Sequence, residues 1–126
     1  MARVLLVEDD HGIAILIGAI LEDEGHRVVH VENVPENLDL LKSDPVDLII
    51  CDLANGLSVE DRWWPVLALR EVLDDVPILV CTAHPMAVLD AAQIHSVAGL
   101  LPKPFGYDEL VQRVQEILSG QTLYSG

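Results

Sequence analysis

The sequence predicts an α/β fold in which a doubly wound, five-stranded parallel sheet is covered by five helices. Short apolar runs alternate with longer amphipathic segments along the whole chain, and this order calls for parallel strands joined by right-handed crossovers. Three of the short runs are continuously apolar, as expected when both faces of a sheet are covered. The predicted strands cover residues 4–7, 28–31, 48–51, 78–81 and 98–101.

Five helices are predicted between and after these strands. They cover residues 13–21, 35–42, 64–73, 85–94 and 110–118. In the first and last of them apolar residues repeat at helical spacing, and Gly25 and Gly120 stop the two patterns. Pro35 suits the first turn of the second helix.

The composition describes one globular domain. The chain has 126 residues, of which 51% are hydrophobic, enough to bury a core without disulfides or a structural metal. Cys51 and Cys81 each lie within an apolar run, which predicts buried thiols in a reducing compartment rather than a redox pair. No apolar run has the length to cross a bilayer, and the N-terminus has no signal-peptide layout. We therefore expect a cytoplasmic protein without a membrane partner.

The net charge of −14 limits the classes of partner. Nucleic acids and anionic lipids need positive protein surface, so direct binding to either is disfavoured. An acidic surface suits a cationic ligand or a partner with a basic patch, and it also suits solubility alone.

Polar residues follow four of the five predicted strands, while the second strand is expected to contribute nothing comparable. They are Glu8-Asp9-Asp10, Asp52, Thr82 and Lys103-Pro104. In an open α/β sheet, ligands bind beyond the carboxyl ends of the strands, near the point where the strand order reverses. We therefore expect these side chains to form one site.

Each residue type in this site has a role in phosphoryl transfer. Clustered carboxylates repel one another unless a cation neutralises them, and oxygen ligands without a nearby His or Cys favour Mg²⁺. Asp52, held against Mg²⁺, can act as a nucleophile towards phosphorus and form an aspartyl phosphate. The metal, Lys103 and Thr82 would share the charge on the phosphoryl oxygens.

The same set of residues resembles the receiver domain of bacterial two-component response regulators, the CheY-like domains. The resemblance extends from Arg3 to Leu118 and implies a flavodoxin-like three-layer sandwich with strand order 2-1-3-4-5. It implies one receiver domain over residues 1–126, with a frayed tail over about 119–126. The last predicted helix ends about eight residues before the C-terminus, where we expect no output domain. A stand-alone regulator and a piece of a longer one both remain open.

The resemblance also implies a role for each acid. Asp52 would receive the phosphoryl group from a phosphohistidine on a sensor histidine kinase or a phosphotransfer protein. Asp9 would bind Mg²⁺ directly, Glu8 would act largely through water, and the backbone carbonyl of Ala54 would supply a further ligand. Asp10 then falls outside the metal site and is interpreted as the cap of the first helix.

The remaining implied roles concern the switch. Lys103 would pair with the phosphoryl group, and the Lys103–Pro104 peptide bond would be cis. Thr82 would swing towards the phosphate and move the face made by the fourth helix, fifth strand and fifth helix. That movement would alter contacts with an unknown downstream protein, and a homodimer through the same face is a further option.

Two departures from the family pattern keep an alternative open. Leu100 stands where the family usually has an aromatic residue, and Gly56 stands where it usually has a proline. The alternative is a receiver-like interaction module that signals without a phosphorylation cycle.

His84 matches a position that tunes the lifetime of the phosphoryl group, or it is a solvated residue at a helix start.

An enzyme is disfavoured beyond self-phosphorylation from small donors and self-dephosphorylation. Aspartyl-phosphate hydrolases commonly carry a second Asp two residues after the nucleophile, where this chain has Ala54. The chain also lacks the glycine-rich phosphate loop of nucleotide hydrolases. Trp63 and Trp64 could both form a docking surface, or one or both of them could cover the core.

Overall fold

Five parallel strands form a single sheet in the computed structural model, which describes residues 2–35, 44–53, 59–83 and 97–120. The strands are β1 (Arg3–Val7), β2 (Arg27–Val31), β3 (Leu48–Asp52), β4 (Ile78–Thr82) and β5 (Gly99–Pro102). Their order across the sheet is β2-β1-β3-β4-β5, and every neighbouring pair is parallel. The predicted parallel sheet and its order 2-1-3-4-5 are confirmed.

Three helices are described: α1 (His11–Asp23), α2 (Val59–Val72) and α3 (Tyr107–Leu118). The first and last predicted helices are thereby confirmed. The predicted helix over 64–73 begins earlier, at Val59, and Pro65 lies in its interior. Proline normally disrupts a helix there, but burial of Trp63 and Val66 against the sheet stabilises the turns on both sides of it. The predicted helices over 35–42 and 85–94 lie outside the described residues.

The core is divided between the two faces of the sheet. On one face, α2 contributes Trp63, Val66 and Leu69 to a cluster with alternate residues of the central strands. On the other face, α1 and α3 cover the intervening strand residues. Continuously apolar strands are buried in this way because successive side chains point to opposite faces. The described part of the chain therefore has three layers: α2, the sheet, and α1 with α3.

Helix ends next to the sheet are fixed by local hydrogen bonds. Asp10 caps α1, because its Oδ1 accepts from the backbone N–H of Ile13 at 3.0 Å. Gly25 follows α1 with a φ of 90°, a backbone conformation that glycine adopts without strain. At the end of α3, the Ser119 N–H donates to the carbonyl of Gln115 at 3.0 Å. The predicted tail from residue 119 thus begins with ordered capping, and 121–126 lie outside the described residues.

The cysteines and tryptophans are sorted by burial. Cys51 and Cys81 are buried and free, as predicted, and burial raises the pKa of the Cys81 thiol to about 12. Trp63 is 0% exposed, whereas Trp64 is 48% exposed. The interpretation that one or both tryptophans cover the core is therefore confirmed by Trp63, while Trp64 is half exposed. Within the described ranges, no helix combines the length and the apolar character that a membrane span requires.

Candidate metal and phosphoryl site

The carboxyl edge of the sheet collects the polar residues that the sequence singled out. Asp52 and Thr82 are the last residues of β3 and β4, Glu8 follows β1, and Lys103 follows β5. The parallel register pairs Asp52 with Cys81, which puts Thr82 one residue beyond the level of Asp52. Strand pairing alone therefore brings four chain segments to one place.

Three carboxylates meet at this edge. Glu8, Asp9 and Asp52, here called the acidic cluster, each offer an oxygen atom, and these atoms lie within 4.8 Å of one another. Glu8 is 2% exposed, Asp52 is partly buried and Asp9 is exposed. An all-oxygen donor set of this kind fits a hard divalent cation such as Mg²⁺ better than zinc or copper. The exposed Asp9 leaves this donor set open to water on one side.

Lys103 places a positively charged group between two carboxylates of this site. Its Nζ atom lies 2.8 Å from Glu8 Oε1 and 3.1 Å from Asp52 Oδ1, and its side chain is 15% exposed. Burial alone would lower the pKa of Lys103, but the hydrogen bond with Glu8 and the charge of Asp52 raise it above its ordinary value. The ammonium therefore stays charged between two carboxylates.

Glu8 shows the opposite balance. Burial raises the pKa of Glu8, the hydrogen bond from Lys103 lowers it, and the nearby charge of Asp52 raises it again, with a net rise. A buried carboxylate beside another carboxylate needs positive charge to remain ionised. Lys103 supplies part of that charge, and the acidic cluster would gain the rest from a bound divalent cation.

The backbone fixes where Lys103 stands. The Lys103–Pro104 peptide bond is cis, as the resemblance implied. The N–H of Lys103 donates to the carbonyl of Thr82 at 2.8 Å, which ties β5 to the end of β4. Gly106, three residues after Lys103, is the N-cap of α3, and its N–H donates to Oε1 of Glu109 at 3.2 Å.

The segment after β2 adds two polar residues next to this edge, although the acidic cluster itself contains none from it. Glu32 and Asn33, directly after β2, line a cavity of about 250 Å³ together with Asp9, Asp52, Trp64 and Pro65. We call this cavity the side pocket. The sequence signal was the polar pair that follows Val31, but no chemical partner was evident for it before the fold was known.

Two histidines contact the segments that carry the acidic residues: His30 lies on β2, and His11 is the first residue of α1. His30 Nε2 donates to the backbone carbonyl of Glu8 at 2.8 Å, and His11 Nε2 contacts Glu32 Oε1. This hydrogen bond gives His30 a structural role. His26 is likewise structural, because its Nδ1 accepts from the N–H of Ala2 at 3.2 Å.

Several residues named from the sequence have other outcomes. Ala54, Gly56 and His84 lie outside the described residues. Leu100 is 2% exposed and packs in the cluster that contains Trp63. Its carbonyl accepts from Arg113 Nη1 at 3.1 Å. Where the family usually carries an aromatic residue, this chain therefore has a buried aliphatic side chain.

The comparison with protein families agrees with the fold. The family described as response regulator receiver domain matches residues 4–115. The chain therefore belongs to the response regulator receiver domain family.

Relatives and a solved structure place the chain within that family. It is 36% identical over 120 residues to the transcriptional regulatory protein GlrR of Escherichia coli, covering 93% of this chain and 26% of GlrR. It is 33% identical over 125 residues to the response regulator MprA of Mycolicibacterium vanbaalenii, covering 95% of this chain and 52% of MprA. The chemotaxis protein CheY4 of Vibrio cholerae superposes with a TM-score of 0.77 at 27% identity, covering 93% and 98%. The chain thus spans a quarter to about half of the length of these curated relatives.

Proposed function

We propose that this receiver domain accepts a phosphoryl group on Asp52, with Mg²⁺ held by the acidic cluster. The observation that carries the proposal is the ammonium of Lys103, 3.1 Å from Asp52 Oδ1 and 2.8 Å from Glu8 Oε1. A carboxylate nucleophile, a metal-binding set and a fixed cation are the parts that phosphoryl transfer needs. Receiver-family membership over residues 4–115 supports the same assignment.

The donor is a phosphohistidine on a sensor histidine kinase or a phosphotransfer protein. A carboxylate oxygen of Asp52 attacks phosphorus while the bond between phosphorus and the imidazole nitrogen breaks, and the electron pair returns to that nitrogen. Lys103 then pairs with a phosphoryl oxygen, and the Thr82 hydroxyl donates to another. Bound Mg²⁺ supplies charge neutralisation at the phosphoryl oxygens. It would be held directly by Asp9 and Asp52, through water by Glu8, and by the carbonyl of Ala54.

The output is a change in protein contacts. We propose that Thr82 moves towards the phosphoryl group and shifts the face made by β5, α3 and the helix proposed over 85–94. With the further helix proposed over 35–42, this completes the five-helix fold, and residues 1–126 form one receiver domain. The domain is cytoplasmic, contacts a downstream protein or a second copy of itself, and makes no direct contact with nucleic acid, in keeping with its net charge of −14.

A second function from another class is favoured by one observation. Leu100 is buried among aliphatic and aromatic side chains, so an aromatic residue that rotates on phosphorylation is missing from this position. The chain would then act as an interaction module whose contacts do not depend on a phosphorylation cycle. Such a module keeps the acidic cluster and Lys103 as structural neighbours.

Intact-mass spectrometry separates the two functions. The protein is incubated with acetyl phosphate and Mg²⁺, and Asp52→Asn and Asp75→Asn are treated alongside. The proposed function requires one added phosphoryl group that depends on Mg²⁺, is absent from Asp52→Asn and persists in Asp75→Asn, whose carboxylate is exposed beyond α2. Labelling of Asp52→Asn would refute the acceptor assignment. Absence of label in the unmodified chain, even with a cognate kinase, would favour the interaction module.

A further inference from the structure

The side pocket begins at the phosphoryl site and extends from it towards β2. It shares Asp9 and Asp52 with the acidic cluster, but its remaining polar lining, Glu32 and Asn33, comes from the segment after β2. Its volume of about 250 Å³ is below the roughly 300–1,000 Å³ of cavities that hold small organic ligands. The size suits a single inserted side chain better than a cofactor.

One wall of the side pocket is aromatic and open to solvent. Trp64 and Pro65 of α2 line it, and Trp64 is 48% exposed although its neighbour Trp63 is fully buried. Indole is the aromatic group that attracts cations most strongly, and a guanidinium group stacks well on such a ring. An exposed indole that lines an acidic pocket therefore favours a flat cation as the ligand.

The negative charge of the side pocket also favours a cationic ligand. Glu32, Asp9 and Asp52 line it and Glu8 lies next to them. These four carboxylates carry one more negative charge than Lys103 and one divalent metal ion together neutralise, and the Glu32 carboxylate also contacts His11 Nε2. A phosphoryl group on Asp52 would increase that excess. Carboxylates and guanidinium groups form paired, charge-assisted hydrogen bonds.

We propose that the side pocket receives an arginine side chain from a protein partner that approaches Asp52. The guanidinium group stacks on Trp64 and pairs with Glu32, while the aliphatic part of the side chain contacts the apolar residues of the lining, Val34 and Leu53 among them. This proposal rests on the proposed function in one respect only: the partner must approach the phosphoryl site.

The binding test uses N-acetyl-arginine amide as the probe and N-acetyl-citrulline amide as its neutral counterpart of similar shape. With Mg²⁺ present, the indole N–H resonance of Trp64 is followed by NMR, and the buried Trp63 serves as internal reference. We expect saturable shifts of Trp64 with the arginine probe and weaker binding of the citrulline probe. Trp64→Leu, followed through the Asn33 amide, and Glu32→Gln should each weaken binding about two- to fivefold, the range expected for a cation contact at an exposed site.

Leu67→Ala and Glu71→Gln are matched controls, because both side chains are exposed on α2 and neither lines the side pocket. Equal binding of the two probes, absence of saturable shifts, or Glu32→Gln with undiminished affinity would each overturn the proposal. Labelling of Asp52 by acetyl phosphate is measured separately on the unmodified chain. Probe binding without labelling, even with a cognate kinase, would refute the phosphoacceptor and leave the arginine site standing, and labelling without probe binding would do the reverse.

Discussion

The Nζ atom of Lys103 lies 2.8 Å from Oε1 of Glu8, a side chain that is 2% exposed. The two residues are 95 positions apart in the sequence, so the contact exists only because β1 and β5 end at the same edge of the sheet. A buried carboxylate without a cation would be costly. Lys103 therefore both stabilises the buried Glu8 carboxylate and places a positive charge beside Asp52.

Replacing Lys103 with Met should lower the free energy of unfolding of the protein. It should also make the Glu8 carboxylate easier to protonate. Removing one partner of a buried ion pair costs about 3–5 kcal/mol of unfolding free energy. The pKa of Glu8, already raised by burial, should rise further in the variant. Urea unfolding gives the first quantity, and a carboxyl NMR titration gives the second. Arg27→Met, at an exposed residue of β2, is the control, and an unchanged Glu8 pKa in Lys103→Met would contradict the pairing.

The same pair predicts a pH dependence of stability at alkaline pH. The pKa of Lys103 is raised in the folded state above its ordinary value of 10.5, so the folded state holds this proton more tightly than the unfolded state. The resulting stabilisation is complete below pH 10.5 and is lost as the pH rises through the folded pKa. Unfolding free energies measured across this window should converge between the unmodified protein and Lys103→Met. A difference that persists at the alkaline end would show that Lys103 stabilises through packing alone.

Mg²⁺ should stabilise the fold through the acidic cluster. A ligand that binds only the folded state adds about 2.7 kcal/mol at a concentration of 100 times its Kd. Asp9→Asn should lose most of this gain. Without metal its stability should match or exceed that of the unmodified protein, because one of three repelling carboxylates is removed. Thermal unfolding with and without MgCl₂ measures both effects. Asp75→Asn should respond to Mg²⁺ normally, and equal stabilisation of Asp9→Asn would exclude Asp9 as a ligand.

The two tryptophans should differ sharply in their contribution to stability. Trp63 is 0% exposed within the α2 side of the core, and Trp63→Ala should cost about 3–5 kcal/mol. Trp64→Ala should cost less than about 1 kcal/mol, as expected at a half-exposed position. Chemical denaturation of the two variants makes the comparison, with each variant controlling for the other. Similar losses would mean that Trp64 also supports the core.

The strands could be predicted from the sequence because five short apolar runs are separated by regular helical patterns. The site followed from the same pattern, since the residue after each run had to reach the carboxyl edge. The partition of Trp63 and Trp64 could not be predicted, because adjacent helical residues point about 100° apart and the phase of α2 depends on where it begins. Pro65 obscured that start, which lies at Val59.

The side pocket was missed for a different reason. Glu32 follows β2, whose residues are exposed or only partly buried, and a single acid after such a strand is ordinary in a chain with 21 acidic residues. Its significance depends on Trp64, 32 positions later, and on the packing of α2 against the sheet. Pairing of that kind is set by tertiary structure and leaves no local pattern.

Tyr107 and Asp23 give a test of the contact between α3 and α1. The hydroxyl of Tyr107 donates to Asp23 Oδ2 at 2.9 Å, and this hydrogen bond raises the pKa of Tyr107 above its ordinary value of 10.0. The bond favours the protonated phenol in the folded state, so its contribution is present below pH 10.0 and is lost as the pH rises through the folded pKa. Asp23→Ala should bring the pKa of Tyr107 back towards the ordinary value, measured by NMR titration of the tyrosine ring. Glu22→Ala, one residue away on the exposed side of α1, should leave the bond in place, and equal Tyr107 titration in Asp23→Ala and the unmodified protein would show that the two helices are held together without it.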